Sequence, residues 1–168
     1  MIIIGYQGIG KSTLCKDTTK KYIDLESGNF WVNGHRHDDW YKIYANIAEH
    51  LSSQGCVVFT SSHEVVRNAL RESSEPVYIV HPSLNLKDIW ISKLKNRYEF
   101  TKLDKDYKAW KNAESGYDEQ IQSLIDDPIQ NIEIMSKDYD LKVIIDSIKN
   151  KYVLAKLCSR IDDIECEV

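Results

Sequence analysis

Cysteine is scarce and scattered. Cys15, Cys56, Cys158 and Cys166 form no C-x-x-C pair, so neither a disulfide framework nor a zinc site is indicated, and a reducing interior is expected. Proline and glycine are also few, three and seven. Nothing gathers them into a linker, and no repeat or low-complexity stretch divides the chain, so a single domain is expected. Positive charge is not in excess: 22 Lys and Arg stand against 26 Asp and Glu, a net charge of −4. That balance disfavours a general nucleic-acid coat and a membrane-surface protein, and disfavours long nucleic acid as a partner, although local basic patches stay open. No apolar run reaches the length of a membrane span. The first apolar run begins at Ile2, which leaves no room for a signal peptide. A cytoplasmic protein is therefore expected. With 42% hydrophobic and 29% charged residues among 168, the chain can bury a real core.

The most specific stretch is the first: Met1-Ile-Ile-Ile-Gly-Tyr-Gln-Gly-Ile-Gly-Lys-Ser12. Gly5, four residues, then Gly10-Lys11-Ser12 fit the phosphate-binding pattern G-x-x-x-x-G-K-[ST] without a mismatch. Ile2 to Ile4 read as a buried strand. A loop with Gly5, Gly8 and Gly10 can adopt backbone angles that residues with a Cβ resist. Its N–H groups can then turn inward around a phosphate chain at the start of the following helix. Lys11 is placed to neutralise phosphate charge, and the Ser12 hydroxyl to ligate Mg²⁺.

The rest of the chain alternates short apolar strands with helices. The first helix is expected from Ser12 to about Tyr22, and Tyr22-Ile-Asp-Leu25 as the second strand. Asp24 and Glu26 alternate at strand spacing near its carboxyl end, where open parallel sheets take ligands. They are candidates for a Mg²⁺ ligand or an acceptor base. Residues 28–39 read as a polar flap on which Phe30 and Trp31 offer a stacking surface. His35 and His37 lack a third clustered ligand and read as solvent-exposed or phosphate-contacting. Asp38 or Asp39 caps a helix whose apolar stripe is Trp40, Ile43, Tyr44, Ile47, Ala48 and Leu51, stopped at Gly55. The third strand is Cys56 to Thr60, followed by a helix with Arg67 and Arg71. No aspartate closes that strand, which increases the weight on Asp24. Pro76 to His81 form the fourth strand. A Lys-rich helical segment follows, and Gly116 breaks its pattern. Asn131 to Met135 form the fifth strand, before a last amphipathic helix and an undecided tail, residues 151–168. Five strands alternating with helices imply a parallel α/β sheet covered on both faces.

Gly5-Tyr-Gln-Gly-Ile-Gly-Lys-Ser-Thr13 resembles the G-x-x-G-x-G-K-[ST]-T form of the nucleoside monophosphate kinase group, and within it the small phage and prophage deoxynucleoside monophosphate kinases. The likeness covers residues 1–150 through layout. It implies a P-loop kinase fold with strand order 2-3-1-4-5 and a helical lid over about residues 87–116. By this resemblance ATP and Mg²⁺ are the cofactors, held by Gly5, Gly8, Ile9, Gly10, Lys11, Ser12 and Thr13, with Ser12 and Asp24 at the metal. Lys11, Asp24 and a lid arginine, Arg97, carry catalysis. Glu26, Arg36 and Arg67 hold a small nucleotide acceptor. Two other readings stay open: a kinase of a hydroxyl acceptor, such as a metabolite or a 5′-OH nucleic-acid end, and a nucleotide-binding switch with little turnover. An alcohol must lose its proton, so the first of these asks more of Asp24.

Overall fold

The structure is a computed structural model that describes residues 1–17 and 21–165, with residues 156–165 as helix backbone alone. Five strands form one parallel sheet: β1 (Ile2–Gly5), β2 (Tyr22–Asp24), β3 (Val57–Thr60), β4 (Val77–Pro82) and β5 (Asn131–Ile134). Their order is β2-β3-β1-β4-β5, as expected. β1 is central. Ile3 lies opposite Phe59 on one side and Tyr78 on the other, and Ile2, Ile3 and Ile4 are wholly buried. A strand covered on both faces needs a continuous apolar run rather than an alternating one, and Ile2-Ile3-Ile4 supply it.

The flanking helices are α1 (Lys11–Leu14), α2 (Trp40–Ser53), α3 (Glu64–Leu70), α4 (Lys87–Thr101), α5 (Asp104–Ile125) and α6 (Leu141–Glu165). Two of them correct the sequence reading. α1 stops at Leu14, and Cys15 and Lys16 turn the chain. The rest of the expected first helix falls partly on residues 18–20, outside the described residues. α2 keeps its helical period but is rotated within the expected stripe: Tyr44 and Ala48 are buried together with Ala45 and Ser52, and Trp40 and Leu51 pack on the core, while Ile43 and Ile47 are exposed. Two polar anchors set that phase. The Tyr44 hydroxyl donates to the Leu25 carbonyl at 2.5 Å and accepts from the Ser61 amide at 2.9 Å. The Ser52 hydroxyl donates to Glu75 and accepts from the Met1 amino group. Buried polar groups need partners, so these bonds decide the rotation where apolar burial alone leaves a choice.

α4 and α5 form an antiparallel hairpin joined at Lys102 and Leu103, where Lys102 takes a left-handed φ of 55°. Trp90 and Leu94 pin its base to the core. Gly116 (φ −153°, ψ 30°) interrupts α5 without ending it, and Tyr117, Ile121 and Leu124 beyond it are buried. α6 runs from Leu141 to Glu165 across the expected boundary at residue 150, and residues 166–168 lie outside the described residues. The Asp140 carboxylate accepts from the Lys142 amide at 2.8 Å, a capping bond at its start.

One buried ion pair ties α3 to the end of α5. Arg67 donates through Nε to Asp127 at 2.8 Å, and Arg71 reaches the same oxygen at 3.0 Å; the Asp127 side chain is fully buried. Burial pushes the Asp127 carboxyl up. Hydrogen bonds from Arg71, Arg67 and the Ile129 amide outweigh that push and hold it below the ordinary carboxylate range. A carboxyl whose pKa is depressed by folding stabilises fully above its unfolded value of about 3.9 and loses that contribution as pH falls through the folded value. Asp127→Asn leaves Arg67 without its charged partner and is expected to cost about 3–5 kcal/mol at pH 7, with a shallower loss of stability below pH ~4. Urea unfolding across pH checks both. An unchanged acid limb in the variant rules out this source of acid sensitivity.

Candidate functional site

The loop between β1 and α1 is clamped from outside. The Trp90 indole N–H donates to the Gln7 carbonyl at 2.8 Å, and the Tyr139 hydroxyl approaches the Gly8 carbonyl at 3.4 Å. The two rings stack with centroids 5.7 Å apart. Lys93 Nζ lies 4.4 Å from the Trp90 ring and 3.0 Å from the Tyr139 hydroxyl. In a planar trans peptide, C=O and N–H point opposite ways. Holding the Gln7 carbonyl outward therefore aims the Gly8 N–H at the other side. Among the described residues, the amides of Gly8, Gly10, Lys11 and Ser12 find no protein acceptor. Open N–H groups converging at a loop suit an anion. Gly8 (φ 85°) and Gly10 (φ 101°) occupy left-handed angles that make this path possible.

Those amides face a cleft of about 890 Å³ between the loop, the end of β2, the helical hairpin and the start of α6. Lys11 Nζ donates to the Gly5 carbonyl at 2.7 Å. Burial holds its pKa below the usual lysine value; Asp24 and Glu26 pull it back up, and Arg97 pushes it down. Ser12 Oγ donates to Asp24 Oδ2 at 2.7 Å. These two hard oxygens, side by side at the start of α1, are of the donor type that Mg²⁺ takes. Across the cleft, Arg97 Nε lies 3.0 Å from Asp106 Oδ1, and Asp106 also accepts from Thr101 Oγ1 at 2.6 Å. Lys105 on the hairpin meets Glu26 at 3.3 Å, bridging the two walls.

The structure thus brings Lys11, Ser12, Thr13, Asp24, Glu26 and Arg97 to one cleft. Ile9 contributes backbone there, its side chain being buried in the core. Other sequence candidates sit elsewhere. Phe30 packs on Trp40 and Tyr44, with centroids at 5.9 and 5.3 Å, and is half-buried at the core edge, whereas Trp31, the other aromatic of the expected stacking surface, is exposed. Arg36 lies over Trp40 at 4.2 Å and Trp31 at 4.9 Å, and donates to the Ser27 carbonyl at 2.9 Å. Arg67 is turned inward: besides Asp127 it donates to the Ser62 carbonyl at 2.7 Å and to Ser123 Oγ at 2.7 Å. Its guanidinium is taken up by the protein, so a free phosphate-binding arginine is not found at this position.

Sequence reasoning passed over the clamp. Nothing local singles out Trp90 or Tyr139; the clamp is visible only in the bond from Trp90 to Gln7, 83 positions away, and in the approach of Tyr139 to Gly8. His63 was passed over too. Desolvation, then the charges of Arg36 and Lys11, lower its pKa below the ordinary histidine value, leaving a neutral imidazole at pH 7. Neither a protein-family model nor a curated protein matches the chain.

The two left-handed glycines of the β1–α1 loop differ in surroundings. A Cβ on Gly8 would stand 3.0 Å from Leu94 Cδ2 and 3.1 Å from Trp90 Nε1, whereas one on Gly10 would meet nothing nearer than Leu141 at 3.9 Å. Gly10→Ala should therefore cost only the backbone penalty, about 1–2 kcal/mol, and Gly8→Ala distinctly more because it also pushes on the clamp. Thermal unfolding of both variants measures the difference. Equal losses would show that Trp90 and Leu94 yield freely and do not hold the loop.

Proposed function

We propose that the chain is a P-loop nucleotide kinase, transferring the terminal phosphoryl group of ATP to a nucleoside or deoxynucleoside monophosphate. The observation that carries this reading is the set of open amides at Gly8, Gly10, Lys11 and Ser12, beside Lys11 and the Ser12–Asp24 oxygen pair. A triphosphate laid along the loop accepts from those amides. Lys11 leaves the Gly5 carbonyl to meet the terminal phosphates, and Thr13 supports the α-phosphate end. Ser12 and Asp24 hold Mg²⁺, which when bound neutralises phosphate oxygens. Arg97, fixed by Asp106, stands on the opposite wall and balances charge on the migrating group. An acceptor phosphate oxygen bonds to the γ-phosphorus while the bond to the β–γ bridging oxygen breaks, and ADP carries that oxygen away. The acceptor is already ionised, so positioning and charge neutralisation supply most of the rate. With Arg67 engaged by Asp127, the acceptor phosphate meets Lys11 and Arg97, and Glu26 contacts the acceptor from the β2 side; Arg36 joins them only by leaving the Trp40 ring and the Ser27 carbonyl.

That same engagement of Arg67 favours a second reading, in which the acceptor presents a hydroxyl and needs no arginine at this point. Asp24 then takes up the alcohol proton. Incubation with ATP and Mg²⁺ and a panel of NMPs, dNMPs, nucleosides and 5′-OH oligonucleotides separates the two. Diphosphate formation from an NMP or dNMP is expected, and Lys11→Ala should reduce kcat roughly a hundredfold or more without unfolding the chain. Asp24→Asn should be near-inactive with ATP binding retained if the acceptor is a hydroxyl, and less affected if it is a phosphate. Tight ATP binding with no product from any acceptor would overturn the kinase reading.

A further inference from the structure

Both arms of the helical hairpin grip the exit of β1, at successive residues. From α4, the Trp90 indole donates to the Gln7 carbonyl. From α5, Gln120 Oε1 accepts from the Tyr6 hydroxyl at 3.0 Å, and the Tyr117 ring meets the Tyr6 ring edge-on, with centroids 5.9 Å apart. Gln7 closes the set, its Nε2 lying 3.4 Å from the same hydroxyl. Tyr6 is buried, and burial pushes its phenol up to about 12, so the hydroxyl keeps its proton and donates.

Gln120 makes a second bond that a regular helix does not allow. Its Nε2 donates to the Asn112 carbonyl at 2.9 Å, 8 residues back along α5. Eight residues of unbroken α-helix rise about 12 Å, more than a glutamine side chain and one hydrogen bond span. The bond forms because Gly116 breaks the helical path between the two residues. Glycine also leaves room for the crossing, since a Cβ at position 116 would stand 3.1 Å from Gln120 Nε2. Asn112 belongs to the hairpin arm, whereas Tyr117, Ile121 and Leu124 beyond the break are buried in the core. One carboxamide therefore ties the bend of α5 to the residue that enters the loop.

We propose that Gln120 is a positioning residue for the loop: through Tyr6 it holds the exit of β1 in register with the bend at Gly116, so that the Gly8 N–H and the hairpin carrying Arg97 are set together. The proposal rests on the reading of the loop as a phosphate cradle. Trp90 fixes the peptide between Gln7 and Gly8, and Gln120 with Tyr117 fixes the residue before it. Two successive residues held from two arms define a direction that one alone does not. A change in the bend is thereby felt at the loop, because a site is only as precise as the groups that support it.

Amide spectra of the full ¹⁵N-labelled chain test this without ligand, and ATP titration tests it with one. Tyr6→Phe removes the donor to Gln120. Gln120→Glu keeps an acceptor for Tyr6 but turns an acceptor-only carboxylate on the Asn112 carbonyl. Gly116→Ala pushes on Gln120 from the bend. Each should move the Gly8 and Gly10 amide signals and weaken ATP roughly fivefold, the effect of one neutral hydrogen bond. Tyr6→Phe combined with Gln120→Glu should do no more than the larger single change, because the bonds act in series. The proposal is overturned if the Gly8 and Gly10 signals keep their wild-type positions in Gln120→Glu and Gly116→Ala, if the combined effects add, or if thermal stability falls while ATP affinity holds. Should Tyr6→Phe fail to fold, the other two variants decide. The kinase reading fails on a different observation: neither inorganic phosphate nor ATP moves the amides from Gly8 to Ser12 in the wild-type chain. The unliganded spectra of the variants decide the role of Gln120 in that case.

Discussion

The hydrogen bond from the Trp90 indole to the Gln7 carbonyl is the constraint on which the site depends. A glycine-containing loop is entropically free and has many paths. Fixing one carbonyl fixes a peptide plane, and with it the direction of the next N–H. Tyr139 does the same one residue later and stacks on Trp90. The clamp therefore joins three parts of the chain, the exit of β1, the base of α4 and the loop before α6. The donors at Gly8, Gly10, Lys11 and Ser12 are oriented before any ligand arrives, which lowers the ordering cost that binding must overcome.

Around this fixed loop the charges are distributed in pairs. Lys105 with Glu26 and Arg97 with Asp106 are ion pairs, and Asp24 takes the Ser12 hydroxyl; of the three, Lys105–Glu26 joins elements 79 positions apart. The exposed Lys105–Glu26 contact contributes little to stability, since such pairs are worth about 0–1 kcal/mol. Its importance is positional, because it spans the cleft. Arg67 with Asp127 differs in kind: it is buried, multiply bonded and part of the framework. The same residue type thus serves architecture on α3 and faces the cleft on α4.

How much of this was legible in the sequence follows from range. The strands were, because Ile2-Ile3-Ile4 and Val57-Val58-Phe59 are short apolar runs bounded by turn residues. Ser12 and Asp24 were each singled out by local signals, the loop motif and the strand spacing, and it is the fold that sets them side by side. The phase of α2 was not. Ile43 and Ile47 fit the helical period as well as the residues actually buried, and only the partners of Tyr44 and Ser52 choose between the faces. Likewise Arg67 looks available until Asp127, 60 residues later, folds against it. Helical periodicity gives the existence of an element, whereas polar contacts across the sheet give its rotation, and those contacts leave no local trace.

The four tryptophans fall on four different parts of the molecule. Trp90 is 1% exposed against the loop, Trp31 is 55% exposed on the flap, Trp40 lies beneath Arg36, and Trp110 sits on the hairpin with Lys111 Nζ 4.4 Å from its ring. Indole emission shifts to shorter wavelength in apolar surroundings and to longer wavelength in water. The protein consequently carries its own optical reporters, and the Trp90 signal is tied through a single hydrogen bond to the peptide that sets the loop. Single-tryptophan versions of the chain would let loop, flap and hairpin be followed separately, without any added label.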